Sequence, residues 1–111
     1  MTPLSELIQP QKVVRVEPET SRIIFYYEVS KRNPLFITHL YHNWSVGLRW
    51  TIEVDGEKIE WNVERQLGRP EKPINYDPPI VCERYIKVMV SNDSDEQKVA
   101  EFIIDGYFVT I

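Results

Sequence analysis

One nine-residue stretch restricts this chain more than any other. From Val46 to Val54 the residues run Val-Gly-Leu-Arg-Trp-Thr-Ile-Glu-Val, alternating apolar with polar or small side chains without a break. Successive side chains of a β-strand point to opposite faces, so the pattern describes a strand with one face on a core and one in water. Val46, Leu48, Trp50, Ile52 and Val54 are expected to face inward. Asp55-Gly56 follows directly, a pair that favours a two-residue hairpin because both central residues of a type I′ turn take positive φ. The return strand is then Glu57 to Glu64, with Ile59, Trp61 and Val63 on one face.

The same period recurs along the chain. Lys12 to Val16 is a short strand. Arg22 to Ser30 places Ile23, Phe25, Tyr27 and Val29 on one face. Its other face (Ile24, Tyr26, Glu28) is only partly polar, which predicts cover on both sides. Leu35 to Tyr41 is similar. Arg84 to Val90 turns Ile86, Val88 and Val90 inward and leads to a polar loop tip, Ser91 to Glu96. Lys98 to Ile104 returns with Ala100, Phe102 and Ile104 on one face. A second Asp-Gly pair, Asp105-Gly106, is expected to turn the chain into a last strand, Tyr107 to Ile111. No segment carries a helical pattern beyond a single turn at Ser5 to Gln9, bracketed by Pro3 and Pro10. About eight strands without crossover helices predict an all-β fold, an antiparallel β-sandwich of jelly-roll type. The rival is an immunoglobulin-like sandwich, although the paired cysteines of antibody domains are absent.

A chain of 111 residues holds one domain. Its single cysteine, Cys82, excludes an internal disulfide and a four-cysteine zinc site. Thirteen basic against 17 acidic residues leave a net charge of −4, which argues against nucleic acid as a partner. No apolar run approaches the roughly 20 residues that span a bilayer, and residues 1–11 lack the pattern of a signal peptide. Neither a membrane partner nor a cofactor is expected. Two segments break the strand rhythm. Residues 1–11 form an arm ahead of a domain at 12–111 and carry Leu4, Leu7 and Ile8; such arms pack on their own domain or exchange between subunits. Residues 66–79 hold four of the eight prolines and read as an ordered loop, since Pro cannot serve a central ladder. Leu67, Ile74 and Tyr76 would anchor that loop, either on its own sandwich or on a neighbour.

Few residues suggest chemistry. His39 and His42 lie three apart, on opposite faces of a strand, so they do not chelate one metal. Cys82 has no histidine nearby in sequence and reads as a buried structural thiol. Asp55, Glu57, Glu60 and Glu64 cluster about the hairpin, where charge keeps a wet face soluble. The loop Asn92 to Glu96 is acidic but lacks the spacing of a calcium loop. Trp50 and Trp61 fall in phase with core faces, which leaves Trp44, beside Asn43, as the exposed platform for a sugar ring. Arg65 and Arg69 suit pairing with a neighbour's carboxylates. With no nucleophile–base pair and no metal set, an enzyme is not expected.

The order of several features resembles small all-β structural proteins of tailed phages and related viruses. These are Ile23-Ile24-Phe25-Tyr26-Tyr27, the run Trp50 to Gly56, Val63-Glu64-Arg65-Gln66, Tyr76-Asp77-Pro78-Pro79, Val90-Ser91-Asn92 and Ile104-Asp105-Gly106-Tyr107. The likeness is to jelly-roll decoration or accessory proteins of virions and covers most of residues 12–111. It carries over no catalytic residue. It implies a homo-oligomer, with a trimer favoured, whose arm (Leu4, Leu7, Ile8) and long loop (Arg65, Arg69, Ile74, Tyr76) grip neighbouring copies or other virion proteins. The expected location is then the virion, or the cytoplasm if the protein is not viral. The alternative is a carbohydrate- or receptor-binding jelly-roll module using Trp44 and Asn43.

Overall fold

The computed structural model spans residues 1–111 and contains nine strands. They are β1 (Thr2–Pro3), β2 (Gln11–Val16), β3 (Thr20–Glu28), β4 (Leu35–His42), β5 (Leu48–Val54), β6 (Glu57–Val63), β7 (Ile74–Cys82), β8 (Tyr85–Asn92) and β9 (Lys98–Phe108). A single 3₁₀ turn, Leu4–Glu6, follows β1. No helix is long and apolar enough to cross a membrane.

All strand pairs are antiparallel, and they build two sheets. In the first, β1 and β2 both pair with β9, which pairs with β4, which pairs with β7. The second has the order β3-β8-β5-β6. The pairs β2·β9, β3·β8, β4·β7 and β5·β6 nest inside one another. They form one long hairpin folded over into two layers, which is the jelly-roll wrap. The tip of that hairpin is Asp55-Gly56, with φ +53° and +87°, as a type I′ pair requires.

The core lies between the sheets. Trp50, Phe102, Leu35, Ile37, Leu48, Ile52, Ile86 and Ile104 are fully buried. Phe25 of one sheet meets Phe102 of the other with ring centroids 5.4 Å apart. The inward residues expected in β8 (Ile86, Val88, Val90) and β9 (Ala100, Phe102, Ile104) are all buried.

Six expectations need correction. Val46 is 73% exposed and lies outside β5, because Gly47, at φ +100°, turns the chain before the strand begins. In β3 the register shifts between Ile23 and Phe25. That bulge buries Ile24 and Phe25 in succession and turns Ile23 outward. Tyr26 is also exposed, so the outer face of β3 is open rather than covered. Asp105-Gly106 makes no turn, and β9 runs through it. Glycine stands there because a Cβ would strike the Phe36 carbonyl of β4. The proline-rich segment is half strand: β7 includes Pro78 and Pro79 and forms a sheet edge, and both prolines fall in the register break between Asn75 and Ile80, where no ladder bond to β4 is lost. The arm belongs to the sandwich. Thr2 and Pro3 pair with Phe108 and Tyr107, and Leu4 is fully buried. Finally, Trp61 is exposed, for a reason that lies in β6.

Candidate functional site

Opposite β5, the strand β6 changes register twice. Val54 faces Glu57 and Glu53 faces Lys58, but Ile52 faces Glu60 and Trp50 faces Val63. Each slip places an extra residue in β6, which rotates the side chains beyond it. Asn62 accommodates the second at φ +49°, a region that asparagine tolerates better than most residues. The first slip, at Ile59, turns Glu60 inward at 7% exposure and Trp61 outward at 67%, and the second returns Val63 to the inner face opposite Trp50.

Inside, Glu60 joins an ionic cluster. His42, fully buried at the end of β4, stacks on Trp50 with ring centroids 4.2 Å apart and planes 13° apart. Its Nδ1 lies 3.0 Å from the Asn43 carbonyl. A carbonyl only accepts, so Nδ1 carries the hydrogen and Nε2 of the neutral ring is a bare acceptor. That atom lies 3.9 Å from Glu60 Oε1, and neither has a hydrogen-bond partner. Trp50 Nε1 is unpartnered as well. The other carboxylate oxygen, Oε2, accepts from Arg65 at 3.0 Å. Burial pushes the imidazole of His42 down to about 4; the Asn43 hydrogen bond works against that fall and the Arg65 charge adds to it. Tyr76 of β7 completes the surroundings. Burial raises its hydroxyl pKa above the ordinary value, Glu60 adds to the rise and Arg65 opposes it.

Outside, the second sheet presents an aromatic face. Reading across its registers, Ile23, Met89 and Thr51 share one row, and Tyr26, Lys87, Glu53 and Lys58 share the next. Ile23, Tyr26 and Trp61 are all more than half exposed. Tyr26 and Tyr85 stack at 5.9 Å, and Lys58 Nζ sits 5.3 Å from the Trp61 ring centroid. The tyrosine hydroxyls donate to carboxylates, Tyr26 to Glu28 at 3.1 Å and Tyr85 to Glu53. Those bonds raise both hydroxyls above their ordinary pKa.

The residues expected from the sequence fall elsewhere, and mostly apart from one another. Leu4 is core and Ile8 packs against the core; of the three, only Leu7, at 54% exposure, is left free. Arg65 is paired within its own chain, and Arg69 lies 3.6 Å from Glu71. Tyr76 packs on its own core, whereas Ile74 is 39% exposed. Trp44 is no platform: it packs on the core and its Nε1 donates to the Leu48 carbonyl. Asn43 clamps β9, donating to the Val99 carbonyl and accepting from the Glu101 N–H. Cys82 is buried, and burial pushes its thiol up to about 12. Asp55 caps the turn between β7 and β8. Its carboxylate accepts from the backbone N–H groups of Glu83, Arg84 and Tyr85 at 2.8, 2.8 and 3.0 Å. Burial opposes its ionisation, but these donors and Arg84 outweigh it and hold the carboxyl below its ordinary value.

Ser5, His39 and Asp105 line one shallow groove of about 450 Å³ on the first sheet. They do not act together. His39 Nδ1 bonds Thr38, 2.9 Å away, and Asp105 accepts from the Gly106 N–H at 2.8 Å. The sequence reading places Glu60 on the wet face and Trp61 in the core, because strict alternation assigns faces wrongly beyond a bulge. Tyr26 and Tyr85 lie on the faces that alternation gives them, on a sheet surface that is open rather than covered. The sequence sign that β6 is irregular is Asn62, a residue suited to positive φ in the middle of an apparent strand. No model of a known protein family matches this chain, and no characterised protein matches its sequence.

Proposed function

We propose that this is a non-enzymatic structural protein that acts by associating with its own copies, of the virion decoration or accessory type that its sequence resembles. The observation that carries the reading is the outer face of the second sheet, where Ile23 and Tyr26 stand exposed on one edge strand, β3, and Trp61 on the opposite edge strand, β6. Aromatic residues and Met are enriched at the centres of protein interfaces. Two of the sheet edges, β7 and β6, disfavour strand addition. Pro78 and Pro79 occupy the β7 edge and two register shifts interrupt β6, both of which discourage a neighbouring strand from pairing. The jelly-roll wrap agrees with the resemblance without specifying a role.

Light scattering on a sizing column tests this reading. The full chain should run as an oligomer, with a trimer as the state the resemblance implies. The double variant Ile23→Glu, Trp61→Glu should run as a monomer with an unchanged circular dichroism spectrum. A monomeric parent protein at high micromolar concentration would overturn the proposal. The second reading, a carbohydrate-binding module, rests on the exposed Trp61 ring in place of Trp44. Lys58 lies against that ring, which narrows the surface left for a sugar. Glycan binding that is lost in Trp61→Ala would favour the second reading.

A further inference from the structure

We propose that the β6–β7 loop, residues 64–73, is a flap released by protons: it closes over a neutral His42 and opens when that ring takes up a proton. The flap is fastened at few points, and all but one, the 3.8 Å approach of Glu64 to Arg49 of β5, converge on one place. Leu67 exchanges two backbone hydrogen bonds with His42, at 3.0 and 3.1 Å, and packs its side chain against the core. Arg65 holds Glu60 at 3.0 Å. Beyond these the tip closes on itself through Arg69 and Lys72, again by two backbone bonds. Arg65, Gln66, Arg69, Pro70, Glu71 and Lys72 are exposed.

Beneath the flap the charges do not balance a second cation. The groups facing His42 are Glu60 from β6, Arg65 from the flap and, farther round the cluster, Tyr76 from β7. On the strands beside it the inward neighbours are Trp50 of β5 and Phe102 of β9, neither of which carries charge. With His42 neutral, Glu60 and Arg65 cancel. A proton on His42 would draw the unpartnered Glu60 Oε1 to Nε2 and leave two cations, one buried and one at the surface, competing for a single carboxylate. Arg65, 65% exposed, is the partner able to move into water, and the flap moves with it. Opening then hydrates His42. The closed state holds the ring at about 4, against 6.5 for a free imidazole. Each unit of pH lowered between those values should therefore raise the open-to-closed ratio about tenfold, or about 300-fold in all.

A nitroxide on Glu71→Cys reports the flap directly, since the buried Cys82 thiol stays unlabelled. Its mobile fraction should grow between pH 7 and pH 4 while the amide signals of β8 and β9 remain in place. His42→Gln should abolish that growth, whereas His39→Gln should retain it. Should His42→Gln fail to fold, Arg65→Met supplies a second reading, with more mobile label already at neutral pH and a further rise in acid. A mobile fraction that ignores pH, an acid response that persists in His42→Gln, or loop and sheets losing order together would each overturn the proposal. None of these outcomes depends on whether the protein assembles with its own copies.

Discussion

The two strands of the central hairpin differ more than their sequences suggest. In β5, Leu48, Trp50, Ile52 and Val54 are buried and Arg49 is exposed, so the side chains largely follow the alternation of the sequence. In β6, Ile59, Trp61 and Val63 alternate as regularly, yet Trp61 faces solvent and Glu60 faces the core. Position in the sheet accounts for the difference. β5 is held on both sides, by β8 and β6, whereas β6 is an edge strand paired only with β5. A bulge in an edge strand such as β6 disturbs one partner only and changes which side chains face inward, whereas a central strand must carry a break to both neighbours, as β4 does between Ile37 and His39.

The largest effect that tests this contrast compares two tryptophans. Trp50→Ala empties a fully buried site and should cost about 4 kcal/mol. Trp61→Ala removes an exposed ring and should change stability by no more than about 0.5 kcal/mol. Urea unfolding of both variants provides the measurement. Comparable costs would mean that β6 buries its tryptophan and that the two strands are alike.

The contrast also explains what was legible beforehand. β5, β8 and the middle of β9 have their faces written in their alternation. Trp50, Val88 and Phe102 lie where period two places them. The bulged strands do not, since one inserted residue at Ile24 or Ile59 exchanges inside for outside and leaves composition unchanged. Asp-Gly is equally ambiguous. At Asp55-Gly56 the pair bends the chain, while at Asp105-Gly106 the glycine admits close approach of β4. The cluster joins the buried His42 and Glu60 to the exposed Arg65, from three segments. Its assembly rests on a pairing register, and neighbouring residues carry little sign of it.

A middle-sized effect concerns the tip that both strands share. Asp55→Asn keeps one acceptor oxygen but sets an amide NH₂ against a backbone donor, so the turn between β7 and β8 loses its charged acceptor. The cost should be about 2 kcal/mol at neutral pH. The folded-state pKa of Asp55 lies below the ordinary 3.8. The unfolded chain therefore takes up the proton first as pH falls. The advantage of the parent protein is complete above 3.8 and declines as pH drops through the folded value. Urea unfolding of parent and variant should give curves well separated at pH 7 and nearer together at acid pH. A gap that widened in acid would refute the capping role.

The smallest effect bears on the bulge itself. Asn62 sits at φ +49°, where a glycine is free of strain, so Asn62→Gly should change stability by no more than about 0.5 kcal/mol. Asn62→Val should cost about 1–2 kcal/mol, because a β-branched residue resists that conformation. The valine variant has another course open to it. By giving up the second bulge it would continue the alternation that Glu60 and Trp61 set, place position 62 opposite Trp50 and turn Val63 outward. Cross-strand nuclear Overhauser effects separate the two courses. Trp50 still opposite Val63 with stability lost means that the packing of Val63 against the core holds the register. Position 62 opposite Trp50 with stability retained means that Asn62 alone holds the second bulge, while the first bulge, which turns Glu60 inward, stands without it.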